Sequence, residues 1–107
     1  MQLSKRLEAI VKLAGTCHCV ADVGTDHGYI PIYMTEYHLT EKAIAMDVNK
    51  GPLERAQRNI CAYRLESQIV TRLSDGVAEL KAGEADCVII AGMGGLLTIR
   101  ILEAGKE

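Results

Sequence analysis

Four short apolar runs, each breaking into a turn rich in Asp or Gly, constrain this chain's fold more than any other feature. The runs are Cys19–Val23, Ala43–Met46, Ile69–Leu73 and Asp86–Ala91, ending in Gly24, Asp47, Ser74-Asp75-Gly76 and Gly92-Met93-Gly94-Gly95 respectively. Apolar runs of that length bounded by turn residues read as buried strands. Helical patterns lie between them. Gly28 to Glu36 suits a helix, with Pro31 tolerated in its first turn. Gly51-Pro52 opens another, with Leu53, Ala56 and Ile60 on its buried face. Val77 to Leu80 reads as a short helix or turn, and Leu96 to Leu102 as a further helix. A leading helix has Leu3, Leu7, Ile10, Val11 and Ala14 on one stripe and stops at Gly15.

Strand and helix in alternation mean an α/β fold with a parallel sheet and right-handed crossovers. A doubly wound sheet usually has further strands after the fourth. The chain therefore reads as the N-terminal half of a larger domain. Its fourth strand is expected to be a bare edge, open to pairing with a second copy as a homodimer.

With 107 residues the chain holds one domain at most. Hydrophobic residues make up 49% and charged residues 24%, which excludes disorder. No apolar run approaches bilayer length, and Met1–Arg6 does not read as a signal peptide, so a cytoplasmic location and no membrane partner are expected. A net charge of −2 is unlike a free-standing RNA-binding domain, so any grip on nucleic acid is expected elsewhere. Cys17-His18-Cys19 lacks the spacing of a structural zinc site, and no metal is expected. Reduced structural thiols are expected for Cys17, Cys19, Cys61 and Cys87.

In an open α/β sheet the ligand crevice lies outside the carboxyl ends of the strands. Here those ends carry a consistent chemistry. Asp22 nearly ends the first strand, Asp47 ends the second and Asp75 the third, while glycines end the first and fourth. Gly24 and Gly28 are spaced G-x-x-x-G, which is not the dinucleotide fingerprint. The first loop also holds Asp26, a poor neighbour for a pyrophosphate. Two carboxylates suit a cationic or zwitterionic ligand, and S-adenosylmethionine has both a sulfonium and an α-amino group. Asp47 can accept from both ribose hydroxyls, and Asp75 from an adenine amino group. His27 reads as a base or a loop histidine near solvent, Tyr29 as a ring for stacking or partly buried packing, and Arg6, Arg55, Arg58, Arg64 and Arg72 as solvated.

Val20 to Pro31, Asp47 to Leu53, Leu73 to Gly76 and Ile90 to Gly95 together resemble the bacterial tRNA (adenine(22)-N1)-methyltransferases, the TrmK family. Leu3-Ser4-Lys5-Arg6-Leu7 is similar to that family's start. The resemblance covers residues 1–107 and implies the N-terminal portion of a class I, Rossmann-like methyltransferase domain, with about four parallel strands flanked by helices. It implies methyl transfer from S-adenosylmethionine to N1 of an adenosine in tRNA. Carried over by position, Asp22, Gly24, Gly28, Asp47, Asp75, Gly76 and Gly92 would hold the cofactor. His27, Tyr29, Met93, Gly94 and Gly95 would border the substrate base, and Asp26 would act in catalysis. The family continues into further strands and a C-terminal helical part that helps grip tRNA.

Two other readings stand beside this one. The chain is alternatively a non-catalytic nucleoside-binding or oligomerisation module, resting on the bare fourth-strand edge. A dinucleotide-dependent oxidoreductase lacks both G-x-G-x-x-G and a loop free of Asp26.

Overall fold

The computed structural model describes residues 3–92 and 95–100. In chain order the elements are α1 (Lys5–Ala14), β1 (Cys17–Val23), α2 (Tyr29–Glu36), β2 (Thr40–Asp47), α3 (Lys50–Ala62), β3 (Ile69–Leu73), β4 (Cys87–Gly92) and β5 (Gly95–Arg100). The described strands form one sheet in the order β3-β2-β1-β4-β5. Strands β3, β2, β1 and β4 are parallel to one another, with Val23 opposite both Met46 and Ile90, and Asp47 opposite Leu73. Those pairs bring the carboxyl ends of all four strands to one edge of the sheet. The four parallel strands expected from the sequence are all present.

Strand alternation assigns each side chain to a face. Val20, Ala43, Ala45, Ile69, Cys87 and Ile89 point to one face, where Val11 and Ala14 of α1, Ile30, Ile32 and Met34 of α2 and Ile60 of α3 close the larger core. Ala21, Val23, Ile44, Met46 and Val88 point to the other face and pack with Leu80 and Ala85 from the connection before β4. That connection is tied to β3 by Arg72, whose guanidinium meets Glu84 through two bonds of 2.7 Å. Val77 to Leu80 forms turns within it rather than a helix. Helix α1 starts as its sequence directs: the Ser4 hydroxyl accepts from the Leu7 amide. It ends at Gly15, which has φ +68°.

The segment after β4 differs from expectation. Gly95 to Arg100 is a strand, not the start of a helix, and pairs antiparallel with β4 with Gly92 opposite Gly95. The remainder of the expected helix lies outside the described residues. Leu96-Leu97-Thr98-Ile99 is mostly apolar and carries two β-branched residues, so its short pattern does not separate strand from helix. The β4 edge offered unpaired N–H and C=O groups, and β5 satisfies them. The bare edge on which homodimer pairing was expected is therefore filled by the chain itself.

Core packing predicts a sharp positional contrast. Ile60 is fully buried whereas Leu13 is 74% exposed. Ile60→Ala should cost about 2–5 kcal/mol by urea denaturation, and Leu13→Ala no more than about 0.5 kcal/mol.

Candidate functional site

The loop after β1 is built by three backbone constraints. First, the amides of Gly24 and Thr25 both donate to the Met46 carbonyl, at 2.9 and 2.8 Å. This extends the pairing of β1 with β2 beyond the strand end and then turns the chain. Second, Gly24, Asp26 and Gly28 have φ of +78°, +58° and +76°. Glycine adopts this region freely, but an aspartate there costs about 1–2 kcal/mol. Third, a Cβ on Gly28 would lie 3.1 Å from the Ala56 Cβ, so the loop can seat on α3 only without a side chain there. Gly28 then caps α2, whose first residue is Tyr29.

Three carboxylates surround this loop in different states. Asp22 is 3% exposed and accepts from the Thr25 hydroxyl at 2.9 Å. Burial pushes its pKa up to about 7; the Thr25 hydroxyl opposes the shift and the nearby Asp47 charge adds to it. Asp47 is also buried, and its two oxygens accept from the amides of Asp26 (3.3 Å) and Asn49 (3.1 Å). A carboxylate has about four acceptor sites, so these bonds leave Asp47 capacity for a ligand. The Asp26 side chain is 60% exposed, with Arg55 Nη2 at 3.1 Å from one oxygen and His27 Nε2 at 3.6 Å from the other. The His27 and Tyr29 rings stack with centroids 5.0 Å apart and planes 14° apart.

A cavity of about 330 Å³ opens here, lined by Arg6 and Leu7 of α1 and by Asp22, Thr25, Asp26 and His27. Gly24 and Tyr29 also border it. The loop, Asp47, Asp75, Gly76 and Gly92 all lie along the carboxyl edge of the sheet. Asp75 and Gly76 sit in an exposed turn, held beside Asp47 because the Ser74 amide donates to the Asp47 carbonyl at 2.9 Å. Gly92 lies two residues beyond the Val23–Ile90 pair, with Gly95 beside it. Met93 and Gly94 lie outside the described residues.

Several participants were not legible in the sequence. Arg55 and Arg72, expected to be solvated, are ion-paired with Asp26 and Glu84. Asn59, a helix residue 32 positions from its partner, donates to the His27 carbonyl at 2.8 Å. Arg6 borders the cavity, because α1 packs beside the strand-end loop. Tyr29 is 41% exposed and stacks on the His27 ring, so it is both partly packed and stacked. Only Thr25 carried a local signal, a hydroxyl three residues after a buried carboxylate.

Residues 3–107 match the model of a family described as a methyltransferase domain. The chain belongs to that family. It is 42% identical over its whole length to the tRNA (adenine(22)-N(1))-methyltransferase of Bacillus subtilis (strain 168), spanning 45% of that protein. The crystal structure of the B. subtilis M1A22 tRNA methyltransferase TrmK superposes with a TM-score of 0.81 at 39% identity, over 86% of this chain and 39% of that one. M. capricolum TrmK, solved in complex with the natural cofactor product S-adenosyl-homocysteine, gives a TM-score of 0.74 at 29% identity, over 84% and 52%. The methyltransferase domain thus spans about half the length of the relatives it matches, and the resemblance to TrmK enzymes carried by its four motifs is borne out.

The state of Asp22 predicts how stability varies with pH. Its folded pKa lies above the ordinary 3.8, so between about 4 and about 7 the folded domain holds a proton that the unfolded chain has released. Stability from this group is therefore present at low pH and lost as pH rises through that window. Asp22→Asn keeps an acceptor for Thr25 but removes the titration. Thermal melts should show the variant more stable than the parent at about pH 8 and the two converging near pH 4.

Proposed function

We propose that this methyltransferase domain binds S-adenosylmethionine at the carboxyl edge of its sheet and, within a cytoplasmic protein, serves methylation of N1 of an adenosine in tRNA. One observation carries the reading. The cavity at the end of β1 presents a buried carboxylate, Asp22, and an exposed one, Asp26, and Arg6 is also among its lining residues. A zwitterionic, sulfonium-bearing amino acid complements that charge pattern, whereas a pyrophosphate does not. Residues 1–107 are read as the N-terminal, cofactor-binding portion of the domain. Support for tRNA as partner comes from the 42% identity to the B. subtilis enzyme, and the main grip on tRNA is assigned to a C-terminal part of the whole protein.

The residues present fit the cofactor. Asp22 pays a desolvation penalty that an ammonium placed beside it would relieve. Asp47 retains acceptor capacity for the ribose hydroxyls, and Asp75 with Gly76 lies farther along the same edge for the adenine. Gly24, Gly28 and Gly92 let the backbone run close to the ligand. When bound, S-adenosylmethionine supplies an electrophilic methyl group.

The chain's own task is alignment. N1 of adenine already has an in-plane lone pair, so no base is required to expose it. The stacked His27 and Tyr29 rings offer a flat apolar surface for the target base. Met93, Gly94 and Gly95 are assigned to the border of the target-base pocket, as the resemblance to TrmK implies. Asp26, exposed in the cavity, accepts from the adenine amino group and offsets the positive charge that the ring gains.

Isothermal titration tests the cofactor claim and methylation of tRNA by the whole protein tests the chemistry. Asp47→Ala should weaken S-adenosyl-homocysteine binding by about tenfold or more. Asp26→Ala should leave that affinity within about threefold while turnover falls about a hundredfold. Absence of cofactor binding by the parent protein sinks the reading, and near-normal turnover of Asp26→Ala removes Asp26 from the chemistry.

A further inference from the structure

Three consecutive loop residues are held by one face of one helix. Arg55, Ala56 and Asn59 of α3 meet Asp26, Gly28 and His27 respectively. Arg55 Nη2 is 3.1 Å from Asp26 Oδ1. Asn59 Nδ2 donates to the His27 carbonyl at 2.8 Å, and Ala56 lies against Gly28. Residues 55 and 59 are one helical turn apart and so share a face. The residues they grip include the one non-glycine of the loop in the left-handed region, Asp26.

We propose that Arg55 and Asn59 are positioning residues that lock the Asp26–Gly28 turn, so that the Asp26 carboxylate and the His27–Tyr29 stack face the cavity in one fixed arrangement. This rests on the reading of the cavity as the methyl-transfer site. A left-handed aspartate costs free energy unless its surroundings over-determine it. Two devices do so here. The Asp26 amide is taken by Asp47 and its carboxylate by Arg55. Without Arg55 the exposed Asp26 side chain keeps only the longer, 3.6 Å contact with His27 and is held less firmly toward the cavity. Without Asn59 the peptide between His27 and Gly28 loses its only side-chain bond among the described residues. The Arg55 Nε is buried with no hydrogen-bond partner among the described residues. The one side-chain contact of the guanidinium among the described residues is that of Nη2 with Asp26. A lysine supplies the same charge without that unpaired N–H.

Arg55→Gln, Arg55→Lys and Asn59→Asp test the proposal; the last is isosteric but removes the donor. Two readouts are taken. Amide hydrogen exchange at Asp26 and Gly28 in the ligand-free protein should speed up about tenfold in Arg55→Gln and Asn59→Asp, with strand amides unchanged. In tRNA methylation, kcat should fall about tenfold or more in both while the affinity for S-adenosyl-homocysteine stays within about threefold. Arg55→Lys should recover most of both effects. Unchanged exchange, or a kcat within about twofold of the parent for both variants, overturns the proposal. So does failure of Arg55→Lys to recover either quantity. If the parent protein itself fails to methylate tRNA, the functional reading falls, and the exchange rates still decide whether α3 locks the turn.

Discussion

The parallel pairing of β1 with β2 is the constraint on which the site depends. Val23 lies opposite Met46, and the Met46 carbonyl then accepts from two successive amides, Gly24 and Thr25. A shift of one residue would send every side chain of β1 to the other face. Asp22 would leave the helix-covered face, and Asp47 would no longer lie under the Asp26 amide. The register is secured by burial on both faces, since Val20 and Ala21 of β1 and Ala45 and Met46 of β2 are all inaccessible. Packing of the core and placement of the carboxylates are thus one structural fact.

The three carboxylates show how one chemical group is given separate tasks by its surroundings. Asp22 is buried against a single hydroxyl, which makes its charge costly. Asp47 is buried but satisfied by two backbone amides, which makes it both a brace for the loop and a directed acceptor. Asp26 stays in solvent, steadied by Arg55. On the proposed cofactor reading, stability and function pull against each other at Asp22, where burial favours the neutral form and a cationic ligand the charged one.

The sequence was most legible where burial and turn chemistry agree. Strand β3 falls on the residues its sequence pattern marks, and α1 ends at the Gly15 expected to stop it. The carboxylates at the strand ends lie on one edge, as their position in the alternation requires. Legibility failed after β4, where an apolar segment with no clear period took the conformation that an unpaired strand edge favours. It also failed for the arginines. Arg55 and Arg72 look alike in composition to Arg58 and Arg64, and only their tertiary neighbours distinguish them.

By itself the sequence determined the α/β alternation, the four parallel strands and the kinds of group at their carboxyl ends, because these follow from local periodicity and the residues that stop each strand. The motifs also determined the methyltransferase family. Tertiary structure alone decided which partners those groups meet. It placed α1 beside the loop, so that Arg6 lines the same cavity as Asp22 and Asp26, and it brought Arg55, Ala56 and Asn59 of α3 onto residues about thirty positions earlier. Such contacts leave no periodic trace, since one hydrogen bond or ion pair between distant residues imposes no pattern on the residues around it.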